Sequence, residues 1–144
     1  MQAQMLAPAA VLVCWSMIML VWMVVVRIRG VMAANLNASE SPRGSRGVDL
    51  EGRVPPPVMW PAHNYNHLME QPTVFYAAVV ILAIMGASSL DVILAWIYVG
   101  LRMAHSVWQA AINIVGVRAT LWLLSSAVLM VIAVRALMAT LGHA

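Results

Sequence analysis

Apolar runs separated by polar stretches set the layout of this chain. Met5 to Val26 is 22 residues without a charge, about 33 Å as a helix and enough to cross a hydrocarbon core of ~30 Å. Pro8 falls in its first turns, where a helix tolerates proline. The run is too long for a signal-peptide core, no basic residue precedes it and no convincing small-x-small cleavage site follows, so it reads as a retained span. Arg27 to Pro61 then carries five Arg, three acids and the Ser/Gly/Pro-rich stretches Ser39–Gly47 and Val54–Pro57. The triple proline there predicts a non-helical loop. Thr73–Leu90 is the second apolar run, in a helix expected to start near His63. Asp91 opens a third helix that reaches about Asn113. Arg118 precedes a fourth, whose uncharged stretch Ala119–Val134 is 16 residues. Arg118 and Arg135 are expected to snorkel toward the headgroups at its ends, and Ala136–Leu141 extends it. The tight connections at Gly86–Leu90 and Asn113–Val117 force antiparallel neighbours. The reading is an all-α integral membrane protein, an antiparallel bundle of four transmembrane helices at about 5–29, 63–87, 91–113 and 118–141, with a polar loop at 30–62.

Composition sharpens that reading. Of the 144 residues 63% are hydrophobic and 9% charged, against roughly 25% charged in soluble domains. A water-soluble enzyme and a nucleic-acid-binding domain are thereby excluded. The net charge of +3 comes from eight Arg and no Lys against five acids. Arg27, Arg29, Arg43, Arg46, Arg53 and Arg118 fall in the first and third loops, Arg135 on the opposite side and Arg102 within a span. By the positive-inside rule the long loop is cytoplasmic and both termini are outside. The lone Cys14 allows no intrachain disulfide, and mid-span it has no acid, base or helix end to activate it. The twelve Met and six Trp read as lipid-facing and interfacial residues.

Ionisable groups inside spans mark candidate functional sites. His63, Asn66, His67 and Glu70, at i, i+3, i+4 and i+7, share one face of the second helix. Asp91, Tyr98, Arg102, His105, Gln109 and Asn113 trace one face of the third. Glu70 and Arg102 are natural partners, either as an ion pair that docks two helices or as part of a ligand site. His105 is open to two readings, a hydrogen-bonded core histidine or a base, and Asn113 could serve the helix end. His63, His67 and Glu70 also carry metal-ligand side chains on one face, although three ligands from one helical stretch seldom close a site.

The stretch Ala62-His63-Asn64-Tyr65-Asn66-His67-Leu68-Met69-Glu70-Gln71-Pro72 resembles the signature of the MAPEG family, the membrane-associated proteins of eicosanoid and glutathione metabolism. Ala95-Trp96-Ile97-Tyr98-Val99-Gly100-Leu101-Arg102-Met103-Ala104-His105-Ser106 is similar to the family's Arg-x-x-His-Ser/Thr motif on helix three, and Asn113 followed by Arg118 resembles the third loop and the start of helix four. The resemblance covers essentially the whole chain and is nearest to bacterial members. It implies a homotrimer of four-helix bundles in a bacterial inner membrane, with periplasmic termini and with glutathione bound between subunits near the cytoplasmic side. Carried over residue by residue, Asn66 and Glu70 would orient glutathione, with His63 in the same signature. Arg102 and His105 would line the pocket, Arg27 would meet a glutathione carboxylate from the adjacent subunit, and Arg118 would sit beside the thiol as the catalytic residue. The chain departs from the family pattern at Pro61, Asn64, Gln109 and Ala119, and in the longer Asn66-x-x-x-Glu70 spacing.

Two functions from different classes follow. One is a glutathione-dependent transferase or peroxidase that stabilises a thiolate for attack on hydrophobic small molecules arriving through the lipid bilayer. The other is a non-catalytic accessory subunit packed into a larger membrane complex. A third is a lipid or pigment binder without chemistry.

Overall fold

The structure, a computed structural model, describes residues 1–37, 39 and 41–142. Glu40, one of the three acids of the long loop, lies outside the described residues, as does position 38. Four helices run in order: α1 (Gln2–Ala33), α2 (Pro56–Met85), α3 (Ser89–Ala111) and α4 (Val115–Leu141), with one 3₁₀ turn, Gly47–Leu50, in the first connection. All four are long and apolar enough to cross a membrane. The shortest, α3 with 23 residues, still reaches about 35 Å.

The second helix starts seven residues before the expected His63. Of the three prolines only Pro55 is extended, as the N-cap with φ −56° and ψ 141°. Pro56 and Pro57 occupy the first helical positions, where the missing N–H would have had no partner and the fixed φ suits the helix. The polar loop therefore spans only 34–55. Pro61 and Pro72 lie inside α2.

In hydrocarbon there is no solvent to drive helices together, so close packing and interhelical hydrogen bonds must do it. α1 buries Met5, Leu12, Ser16 and Met19, a stripe at three-, four- and seven-residue spacings. That stripe rests on α2 and α3, and α4 packs on the same two helices with Ser125, Leu129, Ile132 and Ala136. In the centre the rings of Phe75 and Tyr98 stack at 4.4 Å. α2 and α3 are the inner pair: 39% of each one's most apolar stretch is buried, against 22% for α1 and α4, whose remaining faces present apolar side chains outward. Gly30 lets α1 and α2 approach closely, since a Cβ there would lie 2.4 Å from a methyl of Val58.

The α2–α3 turn is tied down at the end of the bundle away from the loop. Gly86 closes α2 in the left-handed region at φ 95°, and Ser88 caps α3 in a reciprocal box with Asp91. Arg135, expected to reach for headgroups, instead turns inward: its Nε donates to Asp91 Oδ1 at 2.5 Å and its Nη2 to Ser88 Oγ at 3.0 Å. The Asp91 side chain is 4% exposed. One side chain of α4 thus fastens the turn that joins the two inner helices. Asp91→Asn should cost about 2 kcal/mol, because it leaves a charged donor with a weaker acceptor. Asp91→Asn combined with Arg135→Met should cost less than the two single changes added together. Unfolding of detergent-solubilised protein by heat or SDS reads both effects.

Candidate functional site

At the loop end of the bundle, the first half of α2, the last half of α3 and the first turns of α4 enclose a cavity of about 370 Å³. α2 contributes His67, Glu70 and Gln71, α3 contributes His105, and α4 contributes Val115, Arg118, Ala119 and Trp122. One wall is apolar, and the others carry a carboxylate, a guanidinium, an amide and two imidazoles.

The α2 residues are fixed in sequence along one helical edge. His67 Nδ1 lies 2.9 Å from Glu70 Oε2, an i,i+3 pair, and the Glu70 side chain is 68% exposed and so faces open space. His67 also meets His105 edge to face, with ring centroids 5.2 Å apart. Gln71 Nε2 donates to Ser126 Oγ at 2.7 Å, tying α2 to α4 at the cavity's inner end. On α4 the positions 118, 122 and 126 recur every four residues, which places Arg118, Trp122 and Ser126 on one face. Arg118 Nη1 donates to Asn113 Oδ1 at 2.7 Å. Asn113 adopts a positive φ of 58° in the α3–α4 turn, a conformation that asparagine tolerates better than most residues. The turn therefore holds the guanidinium at the cavity rim.

Beneath the cavity lies a second polar layer. Arg102 is 1% exposed and His105 3%. Arg102 does not pair with Glu70. Its Nη2 donates to the backbone carbonyl of His67 at 3.1 Å, and its guanidinium carbon lies 5.9 Å from the centre of the Tyr98 ring. Arg102 Nε and Nη1, Tyr98 Oη, His105 Nε2 and Gln109 Oε1 are buried without a hydrogen-bond partner among the described residues. All belong to the polar face of α3. Beside them Ser106 Oγ accepts from Trp15 Nε1 on α1 at 3.1 Å and from Asn64 Nδ2 on α2 at 2.8 Å, so one hydroxyl joins three helices.

Of the seven residues given a role by the family resemblance, the structure brings Glu70, His105 and Arg118 together, with His67 beside them, and sets Arg102 just behind. The other three lie elsewhere in this chain. His63 is one turn nearer the loop, where Nε2 is 2.7 Å from Glu51 Oε1, and it borders a separate cavity of about 460 Å³ with Trp60 and Asn113. Asn66 is exposed and lies outside the cavity lining. It sits about 100° around the helix from His67, which turns it off the edge that faces α3 and α4. Arg27 lies at the loop end of α1, with its guanidinium packed on Gly47 where a Cβ would come within 2.6 Å. His63 and His67 turn to different carboxylates, and no three His, Cys, Asp or Glu side chains among the described residues are placed to hold a metal ion. Gln71 and Ser106 stand in the two family-like motifs without an assigned role, and Trp122 stands outside them. Gln71 directly follows Glu70, and Trp122 is one turn from Arg118, so helical spacing could have found both.

Four apolar helices long enough to cross a membrane, with a polar cavity between them at the loop end, define an integral membrane protein. A model of the MAPEG family matches residues 5–138, and the chain belongs to that family. No curated protein and no solved structure matches it.

Removing the shared hydroxyl with Ser106→Ala leaves a buried N–H donor on Asn64 and a half-buried one on Trp15 without this acceptor. Interhelical hydrogen bonds within membranes are worth about 0.6–2 kcal/mol each. The variant should therefore lose on the order of 2 kcal/mol and show Trp15 fluorescence altered by the lost indole bond. Both are measurable in detergent against the unchanged protein.

Proposed function

We propose that this MAPEG protein is a membrane-bound transferase or peroxidase that uses a low-molecular-weight thiol, glutathione, against apolar electrophiles. The observation that carries the reading is the convergence of Arg118, Glu70, Gln71, His67 and His105 on one cavity with an apolar wall. Its volume falls in the range of small-molecule sites. A peptide thiol offers an ammonium group and amides for Glu70 and Gln71, and a sulfur for Arg118. Arg118, held by Asn113, favours the thiolate over the thiol by opposing its charge in a partly desolvated place. The thiolate then attacks. With an alkylating electrophile a sulfur–carbon bond forms and the leaving group departs with the bonding pair. With a hydroperoxide the sulfur takes the outer oxygen as a sulfenic acid, the O–O bond breaks and an alcohol leaves after protonation; a second thiol then attacks that sulfur, closes the disulfide and releases the oxygen as water. Val115, Ala119 and Trp122 give the hydrophobic partner its side of the cavity.

The same reading assigns the remaining residues to an assembly. In a homotrimer Arg27 serves the carboxylate of a ligand held by the neighbouring subunit. His63 and Asn66 contact the part of the ligand that extends beyond Glu70. The loop side is cytoplasmic and the bilayer is a bacterial inner membrane. Arg102 acts as a positioning residue, since its hydrogen bond reaches His67 through the α2 backbone.

The test is thiolate difference absorbance on adding glutathione to detergent-purified protein. A saturable signal is expected, with Arg118→Ala lowering the thiolate fraction by about tenfold, the equivalent of one pKa unit. Retained conjugation in Arg118→Ala would overturn the mechanism. A folded oligomer that gives no signal at millimolar glutathione would favour the accessory-subunit reading, in which stoichiometric partners co-purify in mild detergent.

A further inference from the structure

The first loop holds a second charged feature that the thiol site leaves unused. Arg29, Arg43, Arg46 and Arg53 are exposed, and no carboxylate among the described residues pairs with them. The two described acids of the loop hold other partners, although Asp49 also lines a recess in the loop. Asp49 Oδ2 accepts from the Arg46 backbone N–H at 2.6 Å, and Glu51 faces His63. Among the described residues these four guanidinium groups have no carboxylate within ion-pair distance.

The loop is nonetheless folded. Backbone hydrogen bonds close turns at Ser45, Asp49, Glu51 and Arg53, Ser45 Oγ donates to the Pro42 carbonyl at 2.7 Å, and Arg27 is packed on Gly47. These turns shape a recess of about 340 Å³ whose walls include Ser41, Ser45, Arg46 and Arg53 over Val31 and Leu50. Its floor is apolar, and its rim carries hydroxyls and two guanidiniums together with the Asp49 carboxylate, whose Oδ2 is taken up by the Arg46 backbone N–H. Position fixes the rest. The loop leaves the bundle from the end of α1 and returns at the start of α2, so it lies at headgroup level. Met32 and Val48, 70% and 54% exposed, lie within three residues of Arg29 and Arg46 along the chain. Arginine beside exposed apolar side chains at this depth suits a molecule with a phosphate above and an acyl chain below.

We propose that this loop recess docks the phosphate of an anionic phospholipid, with Arg46 and Arg53 at the recess and Arg29 and Arg43 flanking it. The site is separate from the thiol cavity and does not depend on the reading given for it. Lipid of the surrounding leaflet anchors the loop, and with it the ends of α1 and α2, to the membrane surface.

Native mass spectrometry of the full chain, reconstituted in nanodiscs of equal phosphatidylglycerol and phosphatidylcholine and then released into detergent, tests this. The protein should retain the anionic lipid in clear excess. The preference should fall roughly fivefold per arginine neutralised in Arg43→Gln/Arg53→Gln, and should survive in Arg43→Lys/Arg53→Lys, which keeps the charge. Equal retention of both lipids by the unchanged protein would overturn the proposal, as would an undiminished preference in the glutamine variant. Displacement of the retained lipid by millimolar inorganic phosphate would overturn the lipid assignment and show a site for the free anion. A glutamine variant that fails to fold is recognised by its melting transition. Arg29→Gln on the exposed side of α1 then replaces it, with the same fivefold loss expected and an unchanged preference counting against the proposal.

Discussion

A polar group buried in hydrocarbon has no water to fall back on, and this constraint organises the whole molecule. Each span satisfies its own backbone by being helical. What remains is a set of polar side chains that must find partners on other helices, and those partnerships hold the bundle together. Asp91 takes Arg135, Ser106 takes Trp15 and Asn64, and Gln71 takes Ser126. Each bond crosses from one helix to another, and together they link α1 to α3, α2 to α3, α2 to α4 and α3 to α4. Apolar packing alone could be satisfied by several rotations of these helices, because their outward faces are nearly as apolar as their inward ones. The hydrogen bonds select one.

The two ends of the bundle resolve the constraint differently. Away from the loop, the Ser88–Asp91–Arg135 cluster is closed: both carboxylate oxygens have guanidinium donors, and the cap is reciprocal. Both oxygens of the Asp91 carboxylate are taken up there. From the centre toward the loop end, the polar face of α3 keeps buried atoms without partners among the described residues on Tyr98, Arg102, His105 and Gln109, and the groups above the last of these surround a cavity. A protein that wanted only stability would have paired or removed them, because each unsatisfied polar atom costs roughly 1–3 kcal/mol. The contrast between a closed end and an open one within the same four helices places the candidate chemistry at the open end.

Much of this was legible beforehand, and the misses share a cause. The spans, the antiparallel order, the short turns and the helix-opening role of Asp91 follow from hydropathy and local rules, which depend on nearby residues only. The start of α2 was misread because three prolines suggested a loop, whereas Pro56 and Pro57 fit the first helical turn. Pairing was harder. Glu70 and Arg102 looked like partners because they are the two opposite charges on facing polar stripes. The choice between a carboxylate and a backbone carbonyl as acceptor depends on helix rotation and depth, which hydropathy does not encode. Arg135 and Asp91 were each read as helix-end residues, and neither stripe hinted that they meet across 44 positions. Asn66 shows the same limit: a four-residue face at i, i+3, i+4 and i+7 is wide, and within this chain the cavity is lined only from the edge bearing His67, Glu70 and Gln71.

Arg102 and Arg118 show what depth does to one residue type. Both follow from motifs in the sequence, and both lie near the same cavity. Arg102 is enclosed, bonded to a backbone carbonyl and stacked near Tyr98, so its charge is fixed in place and cannot be offered directly to a ligand. Arg118 is half-buried, held by a single side-chain oxygen on a turn, with the rest of its guanidinium free toward the cavity. A fixed charge below and a presented charge above make different contributions. The lower one adds positive potential that does not depend on side-chain motion, while the upper one can form and break a contact with a ligand atom. Exchanging their environments would leave the composition of the site unchanged and remove the presented cation, so it is the burial of each arginine, set by the two turns and the helix rotation, that gives the site its polarity.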